Sequence, residues 1–339
     1  MTTKATLKTL AAELGLSITT VSRALAGYDD VSPKTREKVQ QTARRIGYIP
    51  NQSARRLVTG RTDAIGMIVP LPQDELHDPF ISELLVHLAQ ALHRLPDLDL
   101  LLSYARAGDN ELALYRRFIL GRRVDAFILA RTRQNDPRID FLLQHKALFI
   151  SHGRTIHSDR HAWVDSDAEL GFAQATKRLI ELQHRRITLL NLPSDLFTAG
   201  LRSAGYQAMM NVNGLTGHIT YCELKERSAY QLTLELLRQT QAPTALLCGS
   251  DILALGALKA ARELGLRPGR EISIIGCDNL PLVQLLAPEL ASLGYSFQHL
   301  GELLVDVLQQ LLQQPDSPPG KLMQYHLYER DSLGVCNTP

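Results

Sequence analysis

The chain has 339 residues, 45% of them apolar, with 37 Lys and Arg against 35 Asp and Glu. That length exceeds one ordinary hydrophobic core and calls for two or three compact units, and the composition is globular rather than disordered or fibrous. No apolar run approaches the roughly eighteen residues of a membrane helix, and the start MTTKATLKTL lacks a signal-peptide core, so a cytoplasmic protein without a membrane partner is expected.

Thr6 to Gly27, TLKTLAAELGLSITTVSRALAG, reads as two short helices joined by a tight turn. Leu7, Leu10, Ala11 and Leu14 give the first an apolar face at helical spacing. Gly15 tolerates the positive φ that ends such a helix, and Ser17 caps the next, whose inward residues are Val21, Ala24 and Leu25. The outer face of that second helix carries Ile18, Thr19, Ser22 and Arg23, as does a helix read into a DNA major groove. Thr6 and Ser17, at the two helix starts, join this candidate DNA-binding set. Helix pairs of this kind also serve as protein-protein modules, so the pair alone does not decide.

A third helix starts at Ser32-Pro33, a capping residue followed by proline at the first position, and ends at Gly47. From Met1 to Arg61 there are eleven Lys or Arg against four Asp or Glu, whereas the remainder holds 26 against 31. The positive excess therefore coincides with the helix-turn-helix, as a phosphate-binding surface requires. Cys222, Cys248, Cys277 and Cys336 form no CxxC pair and read as reduced core residues.

The runs LAAELGLSITTVSRALAG, VSPKTREKV, IGYIPNQSARRL and GRTDAIGMIVP resemble the LacI/GalR family of transcriptional regulators. The resemblance implies a hinge helix near residues 51–59 that orders on operator DNA and pairs with its copy in a dimer. In it Leu57 would wedge into the minor groove, flanked by Ala54 and Arg55, with Asn51 at its start; unstacking is offset by the contacts that bent DNA permits.

From Asp63 onward short apolar runs alternate with helical spacing. Ala64–Val69, Leu98–Leu102, Ala126–Ala130, Ala147–Ser151, Ile187–Leu190, Ala245–Gly249 and Ile272–Gly276 read as strands. Helices are expected near 81–95, 110–122, 138–145, 169–183, 200–212, 228–240 and 252–264. Such alternation argues for α/β architecture with parallel sheets covered on both faces, in two successive lobes. Ligands then bind beyond the carboxyl ends of the strands. The resemblance implies a type I periplasmic-binding-protein-like body whose chain crosses between lobes three times, placed near residues 160, 290 and 320. The expected organisation is a helix-turn-helix domain over 1–48, a hinge and linker over 49–61, and a body over 62–339. Lobe 1 takes about 62–160 plus 290–320, and lobe 2 about 161–289 plus 321–339.

Candidate effector residues follow from loop position and from the family's motifs. Asp78-Pro79-Phe80 stands where the family has Asn-Pro-Phe, offering a hydroxyl acceptor and a ring, although Asp78 serves equally as a helix cap. Arg154 ends the run Ser151-His152-Gly153-Arg154 after a strand. Thr198 to Tyr206, TAGLRSAGY, resembles a family motif that makes Arg202 an effector contact. Ser250-Asp251 replaces the usual Asn-Asp, and Asp278 in IGCDN stands at a strand end to accept sugar hydroxyls. Tyr295 is expected near a crossing, and Trp163, the one tryptophan, is either a stacking platform or packing.

His184-Arg185-Arg186-Ile187 reads as a helix-to-strand connection. Eleven histidines show no HExxH, and there is no GxSxG, Walker loop or GxGxxG after a strand, so no cofactor, metal or catalytic centre is expected. An exported solute receptor would need a leader and no DNA head. The expected function is a homodimeric or tetrameric repressor of a pseudo-palindromic operator, released by a sugar, with an α-linked galactoside or glucoside favoured. A purine- or phosphometabolite-responsive corepressed regulator is the alternative.

Overall fold

A computed structural model describes residues 5–25, 28–48, 60–71, 78–95, 98–106 and 110–336. The chain divides into two compact units, Met1–Thr62 and Asp63–Pro339. The expected hinge contacts Asn51, Ala54, Arg55 and Leu57 lie outside the described residues.

In the first unit, α1 (Leu7–Leu14) starts at Thr6, whose Oγ1 accepts from the Thr9 amide at 3.2 Å while Thr9 Oγ1 accepts from the Thr6 amide at 2.8 Å. Both otherwise orphaned amides are thereby satisfied. Gly15 ends the helix at φ 63°, and Ser17 Oγ accepts from the Thr20 amide at 3.0 Å to open α2 (Ile18–Leu25). Ser32 caps α3 (Pro33–Arg45) by accepting from Thr35 N at 3.2 Å. Leu10, Val21, Ala24 and Val39 meet in a core of their own, fully buried. Each Leu or Val so buried is worth about 1.5–3 kcal/mol.

The second unit begins with β1 (Ala64–Leu71), α4 (Pro79–Leu92), β2 (Asp99–Arg106), α5 (Glu111–Leu120), β3 (Ala126–Leu129), α6 (Pro137–Gln144), β4 (Leu148–His152) and β5 (Ala162–Ser166). It continues with α7 (Ala168–Glu181), β6 (Ile187–Asn191), α8 (Phe197–Val212), β7 (His218–Tyr221), α9 (Glu226–Leu237), β8 (Ala245–Cys248), α10 (Asp251–Glu263), β9 (Ser273–Cys277) and β10 (Ala291–Gly294). It closes with α11 (Phe297–Gln313), β11 (Gly320–Met323) and β12 (His326–Tyr328). The strands build two six-stranded sheets, ordered β2-β1-β3-β4-β5-β11 and β7-β6-β8-β9-β10-β12. All neighbours pair parallel except β10 with β12. Near-continuous apolar strands such as Ala126–Leu129 and Ala245–Cys248, buried throughout, suit sheets covered on both faces.

Crossings between the lobes fall between β5 and α7, between β10 and α11, and between β11 and β12. Each lies later than the positions expected near 160, 290 and 320. The strands responsible, AWVDS, ASLG and GKLM, are short and polar or glycine-bearing, so pairing with a neighbour decides them and apolarity does not. Helix α11 returns to lobe 1 and packs on α4, where a Cβ at Gly301 would lie 2.6 Å from the His87 carbonyl. Among the described residues no helix is long and apolar enough to cross a membrane.

Candidate functional site

In each sheet the strand order reverses, between β1 and β3 in the first and between β6 and β8 in the second. Loops leaving adjacent strands diverge at such a point and leave a crevice. The two crevices face one another across a cleft lined by residues of both lobes.

On the lobe 1 side, Asp78 caps α4 by accepting from the Phe80 amide at 3.1 Å and is gripped by Arg131. Arg131 Nε donates to one Asp78 oxygen and Nη2 to the other, both at 2.9 Å. Its guanidinium lies 4.7 Å over the Phe80 ring. Burial opposes the Arg131 charge, but Asp78 and Asp278 outweigh it and the pKa is raised. The arginine takes this place because the chain turns to φ 56° at Arg131 just beyond β3. Beside it His152 ends β4, its ring 5.2 Å from that of Phe80. Burial pushes the imidazole down to about 4, against the pull of Asp165, so it is neutral at physiological pH. Gly153, at φ 104°, keeps the loop close to Thr132, whose Oγ1 would meet a Cβ at 2.6 Å.

On the lobe 2 side, Arg202 projects from α8 and is 4% exposed. Its Nη1 donates to the Gly249 carbonyl, its guanidinium stands 5.3 Å from the Phe172 ring, and its buried Nε has no partner among the described residues. Opposite it, Asp278 follows β9 at φ 109°, with Asn279 at φ 50°. Two successive residues in this region are strained, and the turn is held from several sides. The Asp278 amide donates to Leu293 O at 2.7 Å, the Asn279 amide to Ser292 Oγ at 3.0 Å, and the Leu280 amide to Asp251 Oδ2 at 2.7 Å. The Asp278 carboxyl is 3% exposed and has no hydrogen-bond partner among the described residues. Burial, offset in part by Arg131 and Arg202, pushes its pKa up to about 6.

Near the crossings Tyr295 and Tyr325 line the cleft, Tyr295 sharing a hydrogen bond with His152 Nε2 at 3.1 Å. The lobes also meet at a rim. There Phe197 N donates to Thr132 O at 3.2 Å, Gln134 N to Asp195 O at 2.9 Å, and Arg133 Nε to Asp195 Oδ2 at 3.2 Å.

Of the residues singled out in the sequence, Phe80, Arg202, Asp278 and Tyr295 line the cleft, with Asp78 behind Arg131. Arg154, Trp163 and Ser250 do not line it. Arg154 Nε is bound to Asp165 at 2.8 Å, and its guanidinium leans on Trp163 at 5.6 Å. Trp163 donates to Ser158 O at 3.1 Å and packs against Gly320. Ser250, fully buried, caps α10 by accepting from the Leu253 amide at 3.2 Å. Sequence reasoning missed Arg131, His152 and Tyr325. Arg131 was findable, since it immediately follows the end of an expected strand. His184 is buried and shared between Thr244, Ser273 and the Gly334 carbonyl, while Gln183 adopts φ 70° where the family pattern has glycine.

In the head, Ile18 is 48% exposed and Thr19 and Ser22 are also open to solvent. Arg23 Nη2 is paired with Asp30 at 2.7 Å, with its guanidinium 4.5 Å over Tyr28. Thr6 and Ser17 are exposed as well, their hydroxyls engaged in capping.

A helix-turn-helix head on a two-lobed, cleft-bearing body defines a class, the transcriptional regulators that carry DNA binding and ligand sensing in one chain. Residues 6–51 match the model described as bacterial regulatory proteins, lacI family, and residues 176–333 match a periplasmic binding protein-like domain. The HTH-type transcriptional regulator AglR of Rhizobium meliloti (strain 1021) is 35% identical over 97% of this chain and 94% of its own. The lac repressor dimer bound to operator and the anti-inducer ONPF is 26% identical, covering 97% of this chain and 99% of that one with a TM-score of 0.79. The transcriptional regulator CelR in complex with cellobiose is 26% identical, covering 97% of this chain and 100% of that one with a TM-score of 0.74. The chain belongs to the lacI family of bacterial regulatory proteins. It is a DNA-binding transcriptional regulator and not an enzyme.

Proposed function

We propose that the chain is a homodimeric repressor whose grip on a pseudo-palindromic operator is released by a neutral sugar bound between the lobes. The observation that carries this reading is the unsatisfied polar pair in the cleft. Asp278 lines the cleft with no hydrogen bond to its carboxylate among the described residues, and Arg202 lines it with a buried Nε that is a donor without an acceptor. Leaving such groups unmade costs about 1–3 kcal/mol each, more when charged, and a polyhydroxylated ligand supplies both missing partners. The cellobiose complex of CelR supports a sugar. An α-galactoside or α-glucoside is the favoured class. The operator-bound lac repressor dimer supports the DNA side.

In this reading Ile18 and Thr19 meet base edges, Ser22 and Arg23 the next turn of the groove, and Thr6 and Ser17 the phosphates. Asn51, Ala54, Arg55 and Leu57 form the hinge that bends the operator. A ligand that favours one lobe arrangement by its own differential affinity shifts the population and weakens DNA binding. A thermal-shift screen of sugars and nucleobases, followed by gel-shift titration with operator, tests this. A sugar that binds and releases DNA supports it; a nucleobase that binds and tightens DNA binding overturns it in favour of a corepressed regulator.

A further inference from the structure

We propose that Arg131 is the specificity-determining contact of lobe 1, joining a neutral vicinal diol of the effector ring to Asp278 on lobe 2 and excluding anionic sugars. This rests on the reading of the cleft as the effector site. Arg131 lines the cleft, whereas Arg154 is spent on Asp165. Nε and Nη2 fork onto Asp78, and Nη1 makes no hydrogen bond among the described residues. That third nitrogen is the donor that lobe 1 offers a ligand.

The position is also built. Arg138 Nη2 donates to the carbonyls of Ala130 and Arg131 at 3.2 and 3.0 Å, and the guanidinium is locked to Asp136 through Nε at 2.9 Å and Nη2 at 2.7 Å. A buried ion pair therefore clamps the backbone of a non-glycine residue held at φ 56°, where strain usually signals function. Across the cleft Arg131 feels the field of Asp278 but makes no direct bond to it. A hydroxyl group accepts from a guanidinium and donates to a carboxylate, so two adjacent hydroxyls complete the bridge. Charged residues lining the cleft balance, with Arg131 and Arg202 against Asp165 and Asp278. A phosphate ester would add negative charge beside Asp278 with no spare cation to meet it.

Calorimetry on the full chain tests this, with operator binding as the check on folding. The probes are methyl α-galactoside, methyl α-glucoside, a panel of neutral disaccharides, and galactose 6-phosphate. The parent is expected to bind at least one neutral sugar and no phosphate. Arg131→Ala should weaken that sugar by about tenfold or more, as expected for a lost charge-assisted bond. The double variant Arg131→Ala with Asp78→Ala should not regain affinity. Recovery in the double variant would reduce Arg131 to a counter-ion for Asp78 and overturn the proposal, as would tight phosphate binding by the parent. Should Arg131→Ala lose operator binding too, Arg131→Lys decides. Its single point charge cannot serve both Asp78 and ligand, so unchanged affinity refutes the contact. A parent that binds no neutral sugar defeats the effector reading itself, a result separate from any behaviour of the variants.

Discussion

Asp278 has a carboxyl whose surroundings give it two pH signatures of opposite sign. With its pKa pushed to about 6 from an ordinary 3.8, the empty folded protein holds this proton more tightly than the unfolded chain. Its contribution to stability therefore grows as pH falls from about 6 towards 3.8. Effector binding runs the other way, because accepting a hydroxyl proton needs the ionised form. Affinity measured by calorimetry should fall as pH drops through about 6, approaching about tenfold per unit, and Asp278→Asn should flatten the profile. A purely structural residue acts at Arg138, only 6% exposed in its side chain and paired with the fully buried Asp136. Arg138→Ala leaves that carboxylate uncompensated and should cost about 3–5 kcal/mol in urea denaturation. Removing both partners should cost less than the sum of the two. At this scale the sequence singled out Arg154, which is turned onto Asp165, and passed over Arg131, which faces the cleft. The difference lies in which carboxylate folding brings near.

Helix α2 is where an element carries information outward. Its inner residues Val21 and Ala24 are buried, so substitutions on its outer face leave the head's core intact. Replacing Ile18 and Thr19 together should change which operator is preferred in a selection assay while non-specific affinity holds. A uniform loss over all sequences would count against base readout by these positions. The hinge offers a companion test. On the proposed reading of residues 51–59 as a hinge helix, Leu57→Gly removes both apolar wedge and helix propensity, and should cut operator affinity and gel-measured bending far more than thermal stability. Elements with strong periodicity, such as α1, α10 and β3, were legible. The strands β5, β7, β10, β11 and β12 were not, because AWVDS, HITY, ASLG, GKLM and HLY lack the continuous apolar run of β3 and are set by pairing with a neighbour.

At the scale of the whole chain, the cleft exists because two sheets with reversed strand order present the same ends to each other. Arg202 belongs to lobe 2 and faces this cleft, remote in sequence from the DNA-binding head. Arg202→Ala should therefore leave operator affinity near the parent's while abolishing release by the sugar, giving permanent repression in a reporter strain. Loss of operator binding in the same variant, with an unchanged circular dichroism spectrum, would place Arg202 in the signal and not in the ligand contact.

The sequence by itself determined the three-helix head, the alternation that makes two parallel-sheet lobes, and the charge excess of the DNA-facing end. Those properties are local, set by spacing, caps and composition within a few turns of chain. The tertiary structure alone decided which polar residues face the ligand. Asp78 and Arg131 are 53 residues apart, and Asp251 reaches Ser292 from 41 away. It also decided the crossings, since Trp163 against Gly320 joins β5 to a strand from the far end of the chain. Such pairings depend on strand register and lobe closure, which no local pattern encodes.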